Sequence, residues 1–291
     1  MQTDSNRRPS LNPRWVLALG VTAVSFSAIL VRFTLAPPTV TACYRLLITC
    51  LLLLPLAWGK RREAAAIKKG DLLLCLLAGI FLSFHFTFWF AALRLTSVST
   101  ATLLVNIHPL PVIFLSWRLL GEKFPLRALP WALAAAAGIV SLSWGELQLS
   151  GTLSGNILAA GGGLMLGGYY LVGRRVRPRI PTALYALLVY GASALLLVAY
   201  NLCAAIPMAG YSARDWLVFA ALAAVPTILG HTLLNWSLRY LPASAVSISV
   251  LAEPVLATLA AIPLFGEVPG PLHLAGGILV LAGIGMIMRH S

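Results

Sequence analysis

The stretch LAEPVLATLAAIPLFGE at residues 251–267 occurs a second time, in altered form, as NIHPLPVIFLSWRLLGE at residues 106–122. A shift of 145 residues brings Pro109 onto Pro254, Leu119 onto Leu264, Gly121 onto Gly266 and Glu122 onto Glu267. The same shift continues outward through Leu93/Leu238, Arg94/Arg239, Ser99/Ser244, Val105/Val250 and Gly138/Gly283. A shift of 143 pairs Arg32 with Arg175, Pro38 with Pro181 and Thr39 with Thr182. The chain is therefore read as a duplication, with units at 15–145 and 146–291 behind a tail at 1–14. Self-similarity on this scale sets the architecture before any single helix is considered.

The solvent for such a chain follows from its composition. Of its 291 residues, 59% are hydrophobic and 10% charged, against roughly 45–50% and about 25% in soluble domains. That excess of apolar surface requires lipid. A spanning helix needs about 20 apolar residues, and ten such segments can be placed, near 15–34, 38–58, 71–92, 97–118, 127–145, 153–172, 181–203, 215–237, 243–264 and 272–288. The expectation is an all-α integral membrane protein of ten transmembrane helices. The first segment is too long for a signal peptide and lacks a small-residue cleavage site, so it is expected to be retained. Residues 1–14 carry Arg7, Arg8 and Arg14 and read as a short disordered cytoplasmic tail.

Charge gives the orientation. With the N-terminus inside, seventeen basic residues fall on the cytoplasmic side, among them Lys60, Arg61, Arg62, Lys68, Lys69 and Arg174 to Arg179. Only Arg32, Arg94 and Arg214 fall opposite. Basic loops stay cytoplasmic, so both termini are expected inside the inner (plasma) membrane. The surplus of 21 Lys and Arg over 8 Asp and Glu needs no nucleic-acid partner. Each unit holds five helices, an odd number, so the second must enter the membrane from the opposite face. Inverted repeats of this kind mark secondary transporters, with the substrate held at mid-membrane between the copies. A phosphate-cradling Gly-Lys-Ser/Thr loop is missing, which argues against ATP hydrolysis. Cys43, Cys50, Cys75 and Cys203 lie in apolar runs without metal or redox spacing and read as small packing residues. No cofactor or metal is expected.

Two five-helix halves, each with a proline-interrupted helix running into Gly-Glu, resemble the EamA family of the drug/metabolite transporter superfamily. Glu253, Pro254, Phe265, Gly266 and Glu267 carry the resemblance best, and Arg45 early in the second span also fits. The resemblance covers nearly the whole chain. It implies a ten-helix transporter, commonly an exporter of amino acids or other small metabolites, with a central cavity walled by spans 1, 3, 4, 6, 8 and 9. One departure is His108, which stands where the second copy has Glu253.

Ionisable groups within a membrane turn away from lipid, and this selects the candidate cavity residues. Span 3 offers Phe81, Phe84, His85, Phe88 and Trp89 as one helical stripe. Span 8 offers His231, Asn235 and Trp236. Span 4 offers Asn106 and His108, span 9 Ser249 and Glu253, and spans 1 and 6 Ser25, Tyr169 and Tyr170. The aromatic stripe and the histidines also admit plain packing and interhelical hydrogen bonding. Glu253 admits three readings: a proton carrier, a gate or contact for a substrate amine, or a structural partner. Pro109, Pro111 and Pro254 remove backbone donors mid-span, which suits a hinge or a static kink against protein or a watery cavity. Glu122 and Glu267 read as scaffolding, each ahead of the next helix N-terminus, where negative charge is favoured. Arg45 reads as a snorkelling cation, with an interhelical ion pair as the alternative. The glycine runs of spans 6 and 10 fit an inter-repeat seam or a dimer contact equally.

The functional expectation is a secondary active transporter, an exporter of a small-molecule metabolite such as an amino acid with a large side chain, with the lipid bilayer as its other partner. The alternatives are a passive facilitator or channel and an integral membrane enzyme. Neither a nucleophile–base spacing nor a metal-ligand pair supports the enzyme, and no catalytic residue is proposed.

Overall fold

The computed structural model describes residues 11–96, 98–143, 152–265 and 270–290. Fifteen α-helices follow one another among them, with a 3-10 turn at Leu126–Ala128, a π-helix at Ala223–His231 and a second 3-10 turn at Val250–Ala252. In the first half these are α1 (Pro13–Val24), α2 (Ser27–Val31), α3 (Pro38–Trp58), α4 (Arg61–Ala65), α5 (Lys69–Leu95), α6 (Val98–Val105), α7 (Pro109–Leu120) and α8 (Leu129–Ser143). In the second they are α9 (Leu153–Val176), α10 (Thr182–Cys203), α11 (Ala213–Leu222), α12 (Thr232–Ser237), α13 (Ala243–Ser249), α14 (Glu253–Phe265) and α15 (Pro271–His290).

Eight helical stretches among the described residues are long and apolar enough to cross a membrane. Leu126–Leu142 is apolar but shorter, and α9 is long but diluted by its glycines. Large apolar side chains line the outside, including Trp15, Leu51, Leu133, Leu195 and Ile278, while arginine, histidine and asparagine lie buried within. That distribution is the reverse of a water-soluble fold and is what a lipid solvent selects.

The most extensive pairings each join one half to the other: α5 with α9, α8 with α15, and α3 with α10. The α1 helix packs on the π-helix and α12, and α7 packs on α13. The glycine runs serve these seams. Gly163 lies so close to the carbonyl of Val105 that a Cβ there would collide with it, and Gly138 and Gly276 abut across the α8–α15 pair. Packing between the halves thus accounts for most of these glycines, Gly285 excepted, where an added Cβ would meet nothing within 4 Å.

Several expectations need correction. The first span is not one helix; it breaks at Ser25–Phe26, between α1 and α2. The fourth breaks at Asn106–His108 and the ninth tightens into the 3-10 turn at 250–252, positions that overlap within one residue under the 145-residue shift. Pro109 and Pro254 therefore stand at the starts of α7 and α14, where their missing N–H costs nothing. Gly121 does end α7 in the left-handed conformation, at φ 70°. Glu122, however, does not serve the following helix. Its carboxylate pairs with Arg174 of α9 and accepts the Ala243 backbone N–H at 3.0 Å, at the first residue of α13. It caps a helix of the other half, because folding brings that N-terminus nearer than the next one in sequence. Gly266 and Glu267, and the tail at 1–10, lie outside the described residues.

Candidate functional site

The breaks in the helices meet at one place. Val24 and Ser27 flank the α1–α2 break, Val105 and Asn106 the α6–α7 break, and Val250 and Glu253 the 3-10 turn. With His85, Trp89, Leu166, Tyr170 and His231 they wall a small cavity. Broken backbone at mid-span is tolerated only where protein or a cavity receives the freed groups, and local side chains take several of them. Asn106 Nδ2 donates to the Thr102 carbonyl at 2.8 Å, and His108 Nδ1 donates to the Val105 carbonyl at 3.0 Å.

Arg45 lies behind this wall and is fully buried. Its Nε donates to Thr227 Oγ1 at 2.6 Å and its Nη1 to Ser27 Oγ at 3.1 Å, while the guanidinium sits 4.2 Å over the Phe86 ring. Its Nη2 has no partner. The expected snorkelling does not occur: α3 presents this residue to the π-helix and to α5, away from the headgroups. Glu253 lines the cavity, and among the described residues its carboxylate makes no hydrogen bond or ion pair.

His85 donates from Nδ1 to the Gly162 carbonyl at 2.9 Å, which leaves Nε2 of the neutral ring as an acceptor. Its ring stacks on Trp89, 8° from parallel, and meets His231 edge-on at 6.4 Å. Among the wall residues, Trp89 Nε1, Asn106 Oδ1 and His231 Nδ1 are buried without a partner. An unsatisfied buried polar group costs about 1–3 kcal/mol, so several facing one cavity are a store of unused hydrogen bonding.

Of the eleven residues expected around a substrate, six line the cavity: His85, Trp89, Asn106, Tyr170, His231 and Glu253. The other five lie elsewhere. Phe88, one turn from His85, packs against Gly161 and Phe84. His108 is buried against Tyr170 and bonded to its own break. Tyr169 and Tyr190 accept the Asn235 amide, which spends Asn235 on a network beside the cavity. Trp236 lies against Tyr240, with ring centroids 4.6 Å apart. Ser25 and Ser249 turn back onto carbonyls one helical turn earlier. Sequence reasoning missed Ser27, Val24, Val105, Leu166 and Val250 as wall residues, and Arg45 and Thr227 behind the wall. The flag for Arg45 was available, since a cation a third of the way into an apolar span is costly unless it is held.

A helical bundle with an apolar exterior and a buried polar cavity at the junction of its halves defines a multi-pass integral membrane protein that handles a solute. The model of the EamA-like transporter family matches residues 14–144 and again 153–289. The chain belongs to that family and is a membrane transporter. An uncharacterized transporter of Archaeoglobus fulgidus is 28% identical over 202 residues, 69% of this chain and 71% of that one. A solved crystal structure at 20% identity superposes with a TM-score of 0.77, covering 96% of this chain and 98% of the other, which establishes likeness of fold.

Proposed function

We propose that the protein is a secondary active transporter of ten spans in two inverted five-helix repeats, exporting an amino acid or similar small metabolite by alternating access. The observation that carries the reading is the cavity itself: a carboxylate and three buried polar groups without partners among the described residues, where both halves meet at broken helices. A two-fold relation between the halves is supported by the way helices pair, and its inverted sense rests on the odd number of spans in each unit. A two-fold relation between halves maps the α3–α10 and α8–α15 pairs onto themselves and exchanges α5–α9 with α1 on the π-helix and α12. The breaks before Pro109 and Pro254 would be the hinges. The export direction rests on the family resemblance, and the inner-membrane location with cytoplasmic termini rests on loop charge.

Glu253 is the proton carrier of this reading, since an acid facing a cavity without a partner can exchange a proton with whichever side is open. The test is counterflow and pH-gradient-driven flux in proteoliposomes. Wild type should show saturable exchange that responds to the gradient. Glu253→Gln should retain exchange and lose the gradient response. Unaltered gradient dependence in that variant removes Glu253 from coupling, and non-saturable flux favours a channel.

A further inference from the structure

We infer that Glu122 and Arg174 form a latch that holds the cavity shut toward the face bearing the basic loops, and that the protein must release it to open that way. The inference rests on the alternating-access reading and adds which of the two closures is the tighter. Arg174 follows the wall residue Tyr170 by one turn on the same face of α9, so it stands ~6 Å beyond the cavity along that helix. Its Nε donates to Glu122 Oε1, and its Nη1 donates to the Leu238 and Arg239 carbonyls at 3.0 and 3.1 Å. The other carboxylate oxygen of Glu122 accepts the Ala243 N–H at 3.0 Å. One ion pair thus gathers the ends of α7, α9, α12 and α13.

Each of those helices runs on to the cavity wall, where Asn106 precedes α7, Tyr170 lies on α9, His231 precedes α12 and Val250 follows α13. Glu122 comes from the first half and its partners from the second, so the halves cannot part at this end without breaking the pair. Exposed ion pairs contribute little. This one is largely out of water, with side chains 14% and 23% exposed, and separating it strands a charge on each side. A lesser tie crosses the halves at the same end, where Arg179 Nε reaches both oxygens of Asp71 at 2.9 and 3.2 Å. The duplication does not repeat these cations at the opposite end. The 143-residue shift that pairs Arg32 with Arg175 sets Val31 against Arg174 and Ala36 against Arg179. Asp215, the counterpart of Asp71, accepts instead from the Thr34 hydroxyl at 2.6 Å. A guanidinium brings a charge and further N–H donors that a hydroxyl lacks. The end with the arginines is therefore the harder one to open.

The test follows one cavity cysteine in the full chain and needs no substrate. Leu166→Cys is introduced with the four native cysteines replaced, and its reaction with a charged, impermeant thiosulfonate is timed from each face in vesicles of known sidedness. The face bearing the basic loops should label it more slowly than the opposite face. Glu122→Gln and Arg174→Met should each raise the slower rate by about ten-fold or more and lower the other, because releasing one closure shifts the population toward that opening. Should those variants fail to fold, Arg174→Lys keeps the charge but loses the fork that spans carboxylate and carbonyls, and it should raise the slower rate several-fold. A cysteine reached from both faces, at rates that no variant changes, overturns the latch and leaves alternating access standing. Faster labelling of the parent from the basic face, or rates that rise together from both faces, overturns the latch as well, since the first means an open end and the second means loosened packing. A cysteine reached from one face alone, in parent and variants alike, overturns both readings.

Discussion

At the scale of single residues, the interior places small and large groups where the backbone demands them. Gly163 is the sharpest case, because α9 crosses the end of α6 there and the Val105 carbonyl occupies the space of a Cβ. Val105 also lines the cavity and anchors the break that positions Asn106 and His108. Forcing a larger side chain into packed contact costs about 1–3 kcal/mol. Gly163→Val is therefore expected to lower thermal stability in detergent by that amount and to reduce exchange. Gly191→Ala, at a glycine whose added Cβ would meet nothing within 4 Å, serves as the control. Equal stability of the two variants would show that α9 and α6 are not in close contact. Among the buried cations, Arg177 is held entirely by neutral partners, the Asn235 and Ile180 carbonyls and Thr182. Counted from sequence as a loop charge facing the cytoplasm, it is instead buried and ties the α9–α10 turn to α12.

At the scale of elements, the two copies of the third helix differ in one respect. Asp71 and Asp215 are each the third residue of their helix and are 144 apart, whereas Arg94 and Arg239 near the far ends are 145 apart. The second copy has gained one residue, and the π-helix at Ala223–His231 lies between those two points. One extra residue within an α-helix is accommodated by widening a turn to i→i+5 bonding, often at functional sites. The Thr232 N–H and hydroxyl both reach the Thr227 carbonyl in this way. The widened stretch points Thr227 at Arg45 and His231 at the cavity, one position beyond Gly230, the formal counterpart of His85. Deleting Ala224, which is exposed, should return the segment to α-helix with its flanking turns still in phase, and change the direction in which residues inside the stretch, Thr227 among them, are presented. Exchange in proteoliposomes should then be lost from a protein that still elutes as a folded species. Wild-type exchange after the deletion would mean that the π-helix is not needed to present these groups.

At the scale of the molecule, loop charge and pairing across the halves both bear on topology. In a cysteine-free background, single cysteines at Arg62 and Arg239 should react with impermeant reagent from the cytoplasmic side, and one at Arg214 from the opposite side. Labelling of Arg62 and Arg214 from one face would overturn the five-helix inversion. Much of this architecture was legible in the chain. The duplication, the lipid solvent, the near-complete set of helix positions and six of the cavity residues follow from periodicity, length and the cost of charge in lipid. Those quantities are local or compositional, and a bilayer enforces them on any chain. What tertiary structure alone decided is where each polar group points. A helix turns 100° per residue, so Phe88 and Asn235 left the cavity for neighbouring contacts, while Arg45 was drawn inward by hydroxyls 18 and 182 residues away in sequence. Glu122 likewise chose the N-terminus that folding brought near. Partner choice at that range is set by the packing of the whole bundle, and no window of sequence contains it.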